Sequence, residues 1–202
     1  MTRLTFGIYR KGVRQPGFTL SSTMGDPGFP TPMLTATAAI VRYHREGVTE
    51  ARRRLRRAFA DSSYWGPSGS AQARGWASAI VTCFERYIQL AQRDGRDAFA
   101  VDLRHDVGIG THVVGAHVDA VLLDEEGYVG RIALWDLAPL TAELAVRYAV
   151  PAFLALEEEL GEGRVIGVEV WHLRTGGTHF APADACNAEL PRVTRLVAEI
   201  AR

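Results

Sequence analysis

Between Thr35 and Gly95 the apolar positions recur every three or four residues, the spacing of a helix with one buried face. The stretches TATAAIVRYHRE and VTEARRRLRRAFA read as one broken helix or two, with Gly47 at the break. DSSYWGPSGS is a loop, and AQARGWASAIVTCFERYIQLAQRDG a long helix. The stripe of that helix is Trp76, Ile80, Cys83, Phe84, Tyr87, Ile88 and Ala91, and Gly95 ends it. Beyond residue 96 the pattern alternates or runs apolar, as strands do. DAFAVDLRH, THVVGAHVDAVLLD and YVGRIALWDL are predicted strands, with DEEG as the hairpin turn between the last two. LTAELAVRYAVPAFLALEEELG is a helix in which Pro151 predicts a kink. RVIGVEVWHL is a strand, THFAP its short partner, and ACNAELPRVTRLVAEIAR a closing amphipathic helix.

The first 34 residues are rich in Gly and Pro. LTFGIY and FTLSST suggest short strands of a hairpin, and GDPGFPTP a loop. The organisation expected is therefore a segment over 1–34 followed by one domain over 35–202, helical over 35–95 and sheet-forming over 96–202. The predicted fold class is α/β, a mixed central sheet flanked by helices with a helical N-terminal part. No internal repeat is visible.

Composition changes this picture in two places. The 202 residues carry 23 basic and 23 acidic side chains, a net charge of zero. Residues 1–101 hold 15 basic and 7 acidic groups, whereas residues 102–202 hold 8 and 16. The balanced total thus conceals two oppositely charged halves, and a polyanionic partner is not excluded. Lys11 is the only lysine; every other basic residue is arginine. Cys83 and Cys186 make no CxxC pair, which argues against a zinc or iron–sulfur site. No secretory leader and no apolar run of about 18 residues is evident, so a cytoplasmic protein without a membrane partner is expected.

Residues 113–173 carry the most specific pattern. Gly115 and Asp119 lie on one strand, a hairpin follows, Asp136 ends the next strand, Tyr148 lies on the following helix, and a further strand returns. This order resembles the core of the PD-(D/E)XK nuclease superfamily in its RecB-like branch. The resemblance implies a metal-dependent phosphodiesterase scaffold, with Asp119 and Asp136 holding Mg²⁺ or Mn²⁺ and Tyr148 as the helix tyrosine. Hard oxygen ligands on two arms of a hairpin suit such an ion. His44, on the first helix, stands where relatives of this type often place a metal-reaching histidine.

The chain also departs from that pattern. The family's lysine would follow Asp136 at position 138, which is Ala138, and the glutamine expected four residues before Tyr148 is Leu144. Arginine stays protonated and is a poor substitute for a lysine base. The implied function is therefore a degenerate, cleavage-deficient nuclease-like protein acting as a nucleic-acid-binding or assembly subunit, needing no cofactor. One alternative is an active Mg²⁺- or Mn²⁺-dependent nuclease using Asp119 and Asp136. A second is a structural protein-interaction module, and self-association is compatible with either half.

Two further features bear on partners. Arg52, Arg53, Arg54, Arg56 and Arg57 cover most of one helix, leaving Ala51, Leu55 and Phe59 for packing. Such guanidinium groups suit phosphate oxygens, although a solvated face paired with the acidic half is the plainer reading. Tyr64, Trp65 and Trp76 lie just beyond and could stack on bases. His105, His112 and His117 lie close to Asp119 in sequence, but their spacing does not favour a shared metal. His172 and His179 flank the last hairpin and are expected at the surface or paired across it. No P-loop, GxGxxG or Gly-x-Ser-x-Gly motif occurs.

Overall fold

The computed structural model describes residues 3–5, 19–20, 32–60, 71–135 and 140–201. The chain divides into two compact units, Gly25–Asp97 and Met1–Met24 with Ala98–Arg202.

The first unit is helical. Helix α1 spans Pro32–Glu46, α2 Val48–Ala60 and α3 Ala71–Asp94. Gly47 separates α1 from α2 with a φ of 85°, a left-handed conformation that suits glycine. Its N–H closes α1 on the Tyr43 carbonyl, and its own carbonyl accepts the Ala51 N–H that opens α2. The helices therefore turn on a single residue, resolving the broken-or-double reading as two. Ala36, Ala39 and Ile40 on α1, Ala51 and Leu55 on α2, and Ile80, Cys83, Phe84, Tyr87, Ile88 and Ala91 on α3 are buried, as the helical spacing predicts. Gly95, at φ 73°, ends α3 by donating to Ala91.

The second unit is α/β. Strands β1 (Arg3–Thr5) and β2 (Thr19–Leu20) are short. Strands β3 (Ala98–Ile109), β4 (His112–Leu123), β5 (Tyr128–Leu134), β6 (Val165–His172) and β7 (Gly177–Pro182) pair in that order. Only β5 and β6 among these five are parallel, because helix α4 (Ala142–Leu160) makes the crossover between them. The DEEG turn forms as predicted, with Asp124 and Gly127 exchanging backbone hydrogen bonds. Helix α5 (Ala183–Ile200) follows β7.

One face of the sheet packs on α4 and α5. Val107, Val114, Val118, Val121, Ile132 and Val168 meet Ala149, Phe153, Leu156, Val193 and Val197 in one buried cluster. Gly130 makes the close approach possible: a Cβ there would lie 2.5 Å from Leu156 Cδ1. The Thr141 hydroxyl caps α4 by accepting the Leu144 N–H. The helix continues through Pro151, which is itself buried.

His172 departs from expectation. It belongs to β6, in register with Leu134 and Gly177, and is 1% exposed rather than at the surface. Its Nδ1 faces the Thr175 hydroxyl at 2.7 Å. The apolar run of a parallel strand buried on both sides continues through it, which a hairpin-end reading does not anticipate.

Candidate functional site

Asp119 lies where β4 loses its partner. The β4–β5 ladder runs from Leu123↔Tyr128 to Ala120↔Arg131. The N-terminal part of β4 pairs instead with β1, in parallel, through Val113, Val114 and Gly115. Because β3 occupies the opposite edge along nearly the whole of β4, β1 and β5 share one edge. Among the described residues, positions 116–119 make no ladder pair there. The Asp119 side chain occupies the fork: Oδ2 accepts the Ala133 backbone N–H at 2.7 Å, giving β5 a hydrogen bond that the ladder no longer supplies.

The opposite strand is irregular at the same level. Val101 pairs with Ala120 and Leu103 with Val118, which sets Asp102 opposite Asp119. Asp102 has a φ of 59°, the one non-glycine left-handed residue among those described. Strict alternation would put Val101 and Leu103 on one face. Instead Val101 joins a small cluster with Ala120 and Leu122, while Leu103 packs on the main core. On β4 the faces switch in the same way, between Val118 and Ala120. The two aspartates thus stand at a paired break in the sheet.

The break gathers polar groups that the sequence reading did not assemble. The Asp102 carboxylate oxygen Oδ1 lies 3.0 Å from His117 Nε2 and accepts from Arg104 Nε at 2.9 Å. Asp119 is fully buried, and that burial raises its pKa above the ordinary aspartate value. The neighbouring His117 and the Ala133 N–H work in the opposite sense, while Asp102 adds a like charge. The net shift is upward, with burial its largest cause.

The remaining predicted site residues fall elsewhere. Asp136, two residues past the end of β5, and Ala138 lie outside the described residues, as do Lys11, Tyr64, Trp65 and the Trp76 side chain. Tyr148 is half-buried on α4 and packs against the main core. His44 belongs to the helical unit, where its Nε2 lies 2.7 Å from the Tyr87 hydroxyl. His105 turns away from Asp119, with Nε2 2.7 Å from Glu158 and Nδ1 2.8 Å from Glu159. Among the described residues no three His, Cys, Asp or Glu side chains gather to hold a cation. One of the two Asp119 carboxylate oxygens is engaged by the Ala133 N–H.

The arginines of α2 separate into two groups. Arg52 grips Glu85 of α3 through Nε, at 2.9 Å and 3.1 Å, and through Nη2, at 2.5 Å. Arg53 binds Glu50 at 2.6 Å and 2.7 Å, and Arg54 reaches the same carboxylate at 3.6 Å. Arg56 and Arg57 are exposed and have no acidic partner among the described residues.

No helix among the described residues is long and apolar enough to cross a membrane. No protein-family model matches the chain, and no curated protein matches it in sequence.

Proposed function

We propose that the chain is a cleavage-deficient protein of the PD-(D/E)XK nuclease type that binds nucleic acid, alone or as a subunit of a larger assembly. Asp119 carries the reading. It is the residue that the resemblance assigns as the first metal-binding acid, yet it is buried at the fork between β4 and β5 with one carboxylate oxygen taken up by the Ala133 N–H. A carboxylate with one oxygen already committed to the backbone has less to offer a Mg²⁺ ion. The order strand, hairpin, strand, helix and parallel returning strand agrees with the resemblance drawn from residues 113–173. Ala138 at the lysine position removes the group that would orient or deprotonate water.

A second reading, an active Mg²⁺- or Mn²⁺-dependent nuclease using Asp119 and Asp136, draws support from Asp102. A left-handed aspartate held between His117 and Arg104 is the kind of backbone strain that functional positions retain. The experiment that separates the readings follows one labelled oligonucleotide with Mn²⁺ present, scoring bound and cut strands together. Bound, uncut strands support the first reading, and cleavage that needs Asp119 supports the second. Absence of binding at low salt contradicts both and leaves an interaction module.

A further inference from the structure

We infer that Arg56 and Arg57, rather than the whole arginine run, form the phosphate-contacting surface of α2, and that Glu50 and Glu85 hold the other three arginines back from it. The inference rests on the nucleic-acid-binding reading and names the side chains through which that contact is made.

Spacing and pairing support it together. Arg52 and Arg56 are four residues apart on the helix, as are Arg53 and Arg57, so each pair sets like charges side by side. The fold relieves the N-terminal member of each pair with an acid and leaves the C-terminal member without one among the described residues. Arg57 lies in the last turn of α2, where the negative end of the helix dipole favours a cation. Arg56 has no such internal compensation among the described residues. Both are exposed, with Leu55 between the two groups turned into the core.

The partner that fits is a nucleic-acid backbone. A guanidinium fork matches two phosphate oxygens, and two adjacent forks can engage one or two phosphates without reading a base. The Glu50 carboxylate sits between Arg53 and Arg54, so an incoming phosphate there meets a negative group already in place. Binding through this helix is therefore insensitive to sequence and modest in its salt dependence.

The test is the salt dependence of binding of the full chain to a labelled mixed-sequence DNA duplex. Each phosphate neutralised contributes a slope of about −0.9 in log affinity against log salt, so two contacts give about −1.8 and five about −4.5. Arg56→Gln/Arg57→Gln is expected to flatten the measured slope by about 1.8 and to weaken binding about tenfold more at roughly 50 mM than at 200 mM salt. Arg53→Gln/Arg54→Gln is expected to change the slope by much less, and Glu50→Gln to tighten binding and steepen it. A slope unchanged in Arg56→Gln/Arg57→Gln, while the wild type still binds, overturns this inference and leaves the broader reading standing. Equal losses from the two arginine pairs also overturn it. Failure of the wild type to bind duplex DNA, single-stranded DNA and RNA alike at low salt overturns the broader reading itself. Circular dichroism of each variant confirms that α2 remains folded.

Discussion

The Asp119 carboxylate accepts the Ala133 backbone N–H at 2.7 Å across the fork where β4 and β5 part. A side chain thus does the work of a ladder hydrogen bond, and the fork depends on it. Asp119→Asn keeps a carbonyl acceptor of the same shape, whereas Asp119→Ala leaves the buried Ala133 N–H without its partner. Asp119→Ala should lose about 1–3 kcal/mol of stability, with Asp119→Asn close to wild type. Urea midpoints at constant slope check the ranking.

The same aspartate gives a pH dependence of defined sign. Burial raises its folded pKa above the unfolded value. Below the unfolded value both states are protonated and the site contributes nothing. Between the two values the folded state holds the extra proton, so stability falls as pH rises through that window. Asp119→Asn removes the term, and its stability relative to wild type should therefore increase as pH rises above about 4. Paired denaturation curves across pH measure this difference with the other carboxylates held constant.

His105 has a consequence of the same sign, from an attractive rather than a desolvating cause. Its two ring nitrogens face Glu158 and Glu159, and hydrogen bonding to Glu158 first, then Glu159, raises its pKa. The contribution is fully present below the unfolded histidine value and is lost as pH rises through the folded one. Because the two glutamates are about half exposed, the effect should stay below about 1 kcal/mol. A proton NMR titration should place His105 above the ordinary histidine value, and Glu158→Gln should lower it.

On the other face of the sheet, Arg131 is fully buried, bound to Glu169 through Nε at 3.0 Å and Nη2 at 2.8 Å, and stacked 3.6 Å from the Trp171 ring centre. Glu169→Ala leaves a buried guanidinium without this carboxylate and should cost about 3 kcal/mol. Thermal unfolding of Glu169→Ala against Arg131→Met/Glu169→Leu checks the cause, since the apolar pair should recover most of the loss.

Gly167 and Gly130 separate two kinds of crowding. A Cβ on Gly167 would meet the Ala181 carbonyl oxygen at 2.4 Å, a backbone atom with little room to move, whereas at Gly130 it would meet the end of the Leu156 side chain. Gly167→Ala should therefore be the more damaging, toward the upper end of the roughly 1–3 kcal/mol typical of overpacking. Calorimetric midpoints of the two variants measure the order.

The helices and long strands were legible because burial and period coincide over many residues. The α3 stripe from Ile80 to Ala91 and the turn at Asp124–Gly127 are examples. The motif singles out Asp119 as a candidate, but its environment is not legible in sequence, because the fork arises from β1 taking one part of a β4 edge and β5 another. Asp102 gave no signal: an aspartate in Val101-Asp102-Leu103 reads as an outward strand residue, and its left-handed backbone is visible only in three dimensions. The partition of the arginines was hidden for a similar reason. Glu85 lies 33 positions from Arg52, and only the packing of α2 near α3 brings them together.

The central claim is that Asp119 occupies a nuclease-like position without supporting cleavage. Its most direct test is digestion of supercoiled plasmid and a labelled oligonucleotide by the full chain in Mg²⁺ and in Mn²⁺, alongside Asp119→Asn and Asp136→Asn. The account predicts intact substrate in every lane, with the oligonucleotide still bound at low salt. Strand cleavage by the wild type that disappears in both variants would contradict it.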